Sequence, residues 1–174
     1  AGTADRVLIL REVHNIRRAN WFHDVAVAAR TLLKPDGLLG VEQHRARPDA
    51  PTSYTLGDNG YQREQDVIAL WEAYGFELVA RSEINANPRD PANWEGGVWS
   101  LPPGYRGVPA TDTARRAELD AIGESDRMTL KFRKRREGEA APAPAPFGAY
   151  VYQAAKTLPF MGLTSIDRKS TRLN

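Results

Sequence analysis

The feature that most constrains the fold is an alternation of short apolar runs with apolar residues at helical spacing. Residues 6–10 (Arg-Val-Leu-Ile-Leu) and 38–41 (Leu-Leu-Gly-Val) are short, largely apolar runs, as in strands that are buried on both faces. Between them, apolar residues at helical spacing over 22–33 predict a helix, which the Lys-Pro-Asp-Gly turn at 34–37 ends. A strand, a helix and a strand with short connections predict a parallel, right-handed βαβ unit.

The same alternation continues downstream. A helical stripe over 67–74 is followed by Gly75, which is placed to cap it, and by a third strand over 76–80. The stretch 82–126 is rich in proline and glycine and contains one modest helical pattern, around Ala114 to Ile122. Residues 128–132 then alternate apolar and polar side chains, which favours a less buried or antiparallel strand. The predicted fold class is therefore α/β.

The composition of the C-terminal part sets the predicted domain boundary. Residues 137–146 are an Ala/Pro-rich linker that cannot bury a core, so the domain is predicted to span 1–136. Residues 147–164 form a short apolar tail. Residues 165–174 resemble a translated sequencing adapter and are expected to be a non-native tail. Because the chain begins Ala-Gly-Thr-Ala and not with Met, we also expect its natural N-terminus to be missing.

Composition excludes several classes of function. The chain contains no cysteine, so disulfides, thiolate metal sites and a cysteine nucleophile are excluded. A formal net charge of only +2 argues against non-specific nucleic-acid binding. No apolar run approaches the roughly 20 residues that span a bilayer, so we expect a soluble chain, either cytoplasmic or exported. The sequence has no Gly-x-Ser-x-Gly, Gly-x-x-x-x-Gly-Lys or Gly-x-Gly-x-x-Gly motif.

Polar side chains cluster where the predicted strands end. Segments 12–15 and 42–45 follow the first two strands, and segment 83–87 follows the third. In open parallel sheets ligands bind beyond the carboxyl ends of the strands. If the last strand is antiparallel, its amino end adds segment 123–127 to the same edge. The sequence therefore predicts that four polar clusters converge on one cleft.

The residues themselves leave the chemistry of this cleft open. His14 and His44 are either structural, hydrogen-bonded histidines or, together with Glu42, a metal site of a metal-dependent α/β hydrolase. A further alternative is a non-catalytic binding module in which the long irregular stretch holds a partner. The aromatic residues Trp94, Trp99 and Tyr105 lie in that stretch, and we expect them to hold it onto the domain rather than to line a pocket.

Several motifs resemble the class I S-adenosylmethionine-dependent methyltransferase superfamily. They are the strand 5–10 leading to Val-His-Asn at 13–15, the Leu-Lys-Pro-Asp-Gly turn before the second strand, and Glu-Ala-Tyr-Gly-Phe-Glu-Leu at 72–78. Five peptides together resemble a bacterial group of predicted methyltransferases of unassigned substrate; they are Val-His-Asn, Glu-Gln-His-Arg, Ser-Glu-Ile-Asn-Ala-Asn-Pro, Gly-Val-Trp-Ser-Leu-Pro-Pro and Ile-Gly-Glu-Ser-Asp-Arg-Met. The resemblance covers about residues 4–134.

This resemblance implies a fold and a reaction. The chain would supply the fourth to seventh strands of a Rossmann-like, three-layer αβα sheet, with the seventh strand antiparallel. The family's Gly-rich loop and acidic ribose-binding residue would lie upstream of Ala1. The implied cofactor is S-adenosylmethionine, and the implied reaction is methyl transfer to an unidentified small-molecule substrate. No metal is implied.

The resemblance also implies site residues. His14 and Asn15 would face the methyl donor, with His14 as the first candidate for the catalytic base and His44 as the second. Either of two arginines could hold an anionic group of the substrate; they are Arg45 and Arg127. The predicted substrate-binding residues are Glu42, Arg45, Asn85, Asn87, Glu124, Ser125, Asp126 and Arg127.

Overall fold

A four-stranded mixed sheet forms the centre of the computed structural model, which describes residues 1–136, 138 and 139. The strands are β1 (Ala4–Leu10), β2 (Leu33–His44), β3 (Phe76–Ser82) and β4 (Arg127–Lys134), in the spatial order β1-β2-β4-β3. Strands β1 and β2 are parallel, and β4 is antiparallel to both of its neighbours. The predicted α/β class and the antiparallel last strand are therefore confirmed, and the sheet is compatible with a partial Rossmann-like fold. The predicted linker and two tails lie outside the described residues, apart from 138 and 139.

Four α-helices accompany the sheet in the described part of the chain. They are α1 (Val13–Arg18), α2 (Phe22–Leu32), α3 (Glu64–Ala73) and α4 (Thr113–Ile122). Short 3-10 turns occur at Thr52–Thr55 and Gly97–Ser100. Helix α1 was not predicted, because its six residues are too few to show a helical repeat. No helix of the described residues combines the length and the apolarity that crossing a membrane requires.

The main core lies on one face of the sheet. Strand side chains alternate between faces, so Leu39 and Val41 of β2 share a face with their β4 partners Phe132 and Leu130, and all four are at most 2% exposed. Helices α1, α2 and α3 cover this face. The rings of Phe22 on α2 and of Trp71 on α3 pack with their centroids 4.7 Å apart.

The opposite face of the sheet carries no packed helix in the described residues. Leu8 and Leu10 of β1 point to that face and are 63% and 50% exposed. The prediction of a three-layer αβα arrangement is therefore wrong for the part of the chain that the structure describes. Helices α2 and α3 lie on the same face because each connects parallel strands while the chain advances across the sheet in one direction, and right-handed connections then stay on one side.

Strand β2 is longer than predicted at both ends. The segment 34–37 was predicted as a turn outside the strand, but it lies within β2 as a bulge. Ala4 is opposite Leu33 and Arg6 is opposite Leu38, so that Asp5 alone faces the bulge. At the other end, β2 continues past Val41 to His44. Glu42 and His44 are therefore strand residues, not residues that follow the strand.

Because the core lies on one face of the sheet, truncation of a leucine on each face should change the free energy of unfolding by unequal amounts. Leu39→Ala removes a fully buried side chain and should lower the free energy of unfolding by about 2–5 kcal/mol. Leu8→Ala, on the open face, should change it by no more than about 0.5 kcal/mol. Urea unfolding followed by circular dichroism measures both values. Equal losses in the two variants would contradict the one-sided core.

Candidate functional site

The carboxyl ends of β1 and β2 bring two histidines together. Helix α1 begins shortly after β1 and carries His14, while His44 is the last residue of β2. Their ring centroids lie 5.5 Å apart. Both side chains line a cavity of about 300 Å³, which we call the histidine cavity. Its other lining residues are Arg11, Glu12, Asn15, Val98, Trp99, Leu101, Pro102, Pro103, Gly104, Glu124 and Ser125.

A buried glutamine holds His14. The side-chain nitrogen of Gln43 donates to the carbonyl oxygen of Gly60 at 2.6 Å. The Oε1 and Nε2 atoms of the same carboxamide lie 3.3 and 3.2 Å from Nδ1 of His14. His14 is 3% exposed, and burial lowers its pKa below the usual value. The imidazole is therefore neutral at pH 7 and fixed through one ring nitrogen.

His44 is fixed in a similar way by Ser125. Its Nδ1 shares a hydrogen bond with the hydroxyl oxygen of Ser125 at 2.6 Å. Burial is the main cause that lowers the pKa of His44 to about 3, and the nearby His14 and Arg127 lower it further. Within the described part of the chain, Nε2 of neither histidine has a hydrogen-bond partner. The described hydrogen bonds of both rings are therefore made through Nδ1.

Glu42 is engaged by an arginine, not by the histidines. Its Oε1 lies 2.6 Å from Nε of Arg127, and Arg127 also forms an ion pair with Glu124. Among the described residues no three His, Asp or Glu side chains are grouped so that they could hold a metal ion. The geometry therefore gives no support to the predicted alternative of a metal-dependent hydrolase that uses His14, Glu42 and His44.

Arg45 is also fully engaged by carboxylates. It bonds Asp126 through two nitrogens at 2.8 and 3.0 Å, and it bonds Glu83 through two nitrogens at 3.0 and 2.7 Å. These hydrogen bonds raise the pKa of Arg45 above its usual value. Glu64 adds a third carboxylate at 3.3 Å. Arg45 therefore ties the end of β2 to the segments that follow β3 and precede β4.

The two predicted asparagines stabilise loops. The side-chain nitrogen of Asn87 donates to the carbonyl oxygens of Ile122 and Glu124, at 2.8 and 2.6 Å. The side chain of Asn85 donates to the hydroxyl of Thr129 at 2.9 Å. Neither asparagine lines the histidine cavity. Both were predicted to bind substrate, and the structure places them in the framework beneath the site.

A second, larger cavity lies beside this framework. It measures about 610 Å³ and is lined partly by Arg45, Asp126 and residues of α3. Two of its arginines are paired, because Nε of Arg81 is 2.9 Å from Glu64 and Nε of Arg63 is 2.8 Å from Asp66. The residues that were predicted to form one site therefore do not all line the same cavity. The histidine cavity receives His14, Asn15, His44, Glu124 and Ser125, whereas Arg45 and Asp126 line the larger cavity.

Two features of the site were missed by the sequence analysis. Trp99 was predicted to hold the irregular stretch onto the domain, but it also lines the histidine cavity, with its ring centroid 5.8 Å from that of His14. Glu42 and His44 were predicted to be site residues, but Gln43 between them was not. Its place between Glu42 and His44 was a usable signal, because strand alternation turns it toward the core.

Asp90 organises the irregular stretch. Its carboxylate accepts hydrogen bonds from the Tyr61 hydroxyl at 2.7 Å, from the Trp94 indole at 2.9 Å and from the backbone nitrogen of Asp126 at 2.8 Å. Trp94 also packs against a cluster that contains Ala46 and Tyr61, which precede the stretch, and it therefore holds the stretch onto the domain, as predicted. Tyr105 donates a hydrogen bond to Asp120 on α4, which is a contact within the stretch itself.

Comparison of the chain with protein-family models, with curated proteins and with solved structures gives no match. The family resemblance therefore rests on the sequence motifs alone.

The lowered pKa of His44 predicts a pH dependence of stability. The unfolded chain binds a proton at this histidine near pH 6.5, whereas the native chain does so only near pH 3. The free energy of unfolding should therefore fall as the pH is lowered from about 6.5 toward about 3, by up to about 1.4 kcal/mol per pH unit from this group. Urea titrations at several pH values should show a shallower decline for His44→Asn. Equal slopes would contradict the assignment.

Proposed function

We propose that this chain carries the acceptor-binding part of an S-adenosylmethionine-dependent methyltransferase, and that the histidine cavity receives a small-molecule methyl acceptor. One observation carries the proposal: the cavity lies at the carboxyl edge of a sheet in which β1, β2 and β3 run in one direction and β4 runs in the other. This arrangement agrees with the fourth to seventh strands that the resemblance implies. Ligands of open α/β sheets bind at that edge.

The residues of this chain fit only the methyl-bearing end of S-adenosylmethionine. A volume of about 300 Å³ lies at the lower limit of ligand pockets, which suits an acceptor and not a whole nucleoside-bearing cofactor in addition. His14 and Asn15 are the residues of this chain that stand where the resemblance puts the methyl group. The nucleoside of the donor is assigned by the same resemblance to residues upstream of Ala1.

His14 acts as the base in this proposal. S-adenosylmethionine, when bound, supplies an electrophilic methyl group. The acceptor loses a proton as it becomes methylated, and Nε2 of the neutral His14 accepts that proton. The contact of Gln43 with Nδ1 fixes the direction in which Nε2 points, so that base and acceptor meet in one orientation. His44, held by Ser125, provides the second contact.

The first experiment reads the source DNA upstream of the Ala1 codon. We expect an open reading frame that encodes a strand and a Gly-rich loop, with an acidic residue roughly 20 positions further on. An in-frame stop codon close to Ala1 would leave no room for that cofactor-binding part and would overturn the proposal.

The second experiment tests His14 in the protein produced from the complete reading frame. His14→Ala should slow the transfer of tritiated methyl groups from S-adenosylmethionine to a deproteinised cell extract by about 10²–10⁴-fold, because it removes the base. His23→Ala is the matched control, since His23 lies on α2 and packs against the ring of Tyr74 away from the cavity. The control should keep its turnover. Unchanged turnover in His14→Ala would remove His14 from the mechanism.

A further inference from the structure

The floor of the histidine cavity carries no charge at neutral pH. His14 and His44 are both neutral, because burial lowers the pKa of each, and Ser125 is uncharged. The charged lining residues are Arg11, Glu12 and Glu124, and all three are exposed to solvent; the side chains of Arg11 and Glu124 are 54% and 51% exposed and are 4.0 Å apart. A charged ligand that entered the cavity would lose its hydration without gaining a buried counter-ion.

The two arginines that were predicted to hold an anionic substrate are not available for it. Arg45 is bonded to Asp126 and Glu83, and Arg127 forms ion pairs with Glu42 and Glu124. Neither arginine lines the histidine cavity. Arg11 does line the cavity, but it is exposed to solvent and lies 4.0 Å from Glu124, so it does not offer a buried cation to an anionic ligand.

One wall of the cavity is apolar and contains an oriented indole. The guanidinium carbon of Arg106 lies over the ring of Trp99, 4.4 Å from its centroid, and fixes that ring in place. Val98, Leu101, Pro102 and Pro103 extend the apolar surface beside the ring. A wall of this kind packs a planar aromatic ligand through offset or edge contacts. The volume of about 300 Å³ limits that ligand to a small one.

Next to this wall, the two histidines offer two polar atoms for the same ligand, and the ring centroid of His14 lies 5.8 Å from that of Trp99. The Nδ1 atoms of His14 and His44 are engaged by Gln43 and Ser125, which leaves the two Nε2 atoms. A neutral imidazole nitrogen either accepts or donates one hydrogen bond, according to the tautomer. A hydroxyl group both donates and accepts, so a single hydroxyl can satisfy one ring that accepts and one that donates.

We propose that the histidine cavity binds an uncharged phenol, with its hydroxyl group between His14 and His44 and its ring against Trp99. Binding of the phenol at this site does not depend on the methyl donor. That the bound phenol is also the methyl acceptor rests on the proposed function: the phenolic hydroxyl gives its proton to Nε2 of His14, the oxygen forms a bond to the methyl carbon, and the carbon–sulfur bond of the sulfonium breaks, so that the donor leaves as the neutral thioether S-adenosylhomocysteine.

The experiment titrates the chain with p-cresol and follows the tryptophan indole signals by ¹⁵N–¹H correlation NMR. The chain has four tryptophans, and the signal that is lost in Trp99→Phe identifies Trp99. We expect p-cresol to shift the Trp99 signal in a saturable way. Trp21 is the internal control, because it is 61% exposed and lies outside the cavity, so non-specific stacking would shift its signal equally. A shift of Trp21 equal to that of Trp99 would overturn the proposal.

Three analogues of the same shape test the chemistry. Toluene lacks the hydroxyl group, p-toluate is anionic and 4-methylbenzylammonium is cationic. We expect each to bind at least about tenfold more weakly than p-cresol. Toluene binding as tightly as p-cresol would remove the hydroxyl contact, and preference for either ion would show that the cavity selects charge. Each of these results would overturn the proposal, as would the absence of any Trp99 shift.

Two variants test whether the hydroxyl group of the phenol lies between His14 and His44. His14→Leu and His44→Asn should each weaken p-cresol about tenfold while leaving toluene unchanged, because each removes a hydroxyl partner and keeps the apolar wall. A variant that weakened both ligands equally would contradict this placement. None of these measurements uses the methyl donor, so phenol binding and methyl transfer can fail separately. Binding of p-cresol combined with a stop codon just upstream of Ala1 would keep the site and overturn the methyltransferase.

Discussion

The carboxyl edge of the sheet depends on the contact between Arg45 and Asp126. Asp126 accepts two hydrogen bonds from Arg45 and one from the backbone nitrogen of Asn87, and its own backbone nitrogen donates to Asp90. One carboxylate thus joins the end of β2, the loop after β3 and the start of β4. The side chains of Arg45 and Asp126 are only 20% and 19% exposed, so loss of Arg45 would leave the Asp126 carboxylate poorly hydrated and without its cation, whereas Arg45 would keep Glu83. Because this edge is fixed, Trp94 and Trp99 of the irregular stretch (residues 82–126) pack in defined positions.

This pairing of charges explains why the histidine cavity is neutral. Arg45 and Arg127 are bonded to carboxylates of the framework, so the buried polar groups that line the cavity are two imidazoles and a serine hydroxyl, next to an apolar wall, whereas its charged lining residues are exposed to solvent. In such surroundings an imidazole is held in its uncharged form, which is the form that accepts a proton. The phenol proposal and the base assigned to His14 follow from the same physical condition.

The residues of β2 link the fold to the site. Strand alternation places Leu39 and Val41 in the core, and the same alternation continues to Gln43, which is buried and reaches His14. His44, one residue further, shares a hydrogen bond with Ser125, which lies two residues before β4. The register of β2 against β4, with Gln43 opposite Met128 and His44 opposite Arg127, therefore fixes the positions of both histidines. A slip of one residue would exchange the environments of Gln43 and His44.

The sequence by itself determined the strands, the two long helices of the α/β layer, the antiparallel last strand and the edge at which polar segments meet, because these follow from hydrophobic period and chain connectivity. Only the tertiary structure decided which polar residue does what. Arg45, Asn85 and Asn87 resemble ligand-binding residues in the sequence, yet each is bonded within the framework. Trp99 and Gln43 were not among the predicted binding residues, yet Trp99 lines the cavity and Gln43 holds His14. Local sequence patterns indicate which residues are buried and which face of a strand or helix they occupy. The hydrogen-bond partners of His14, His44 and Arg45, by contrast, lie 29 to 81 positions away in the sequence.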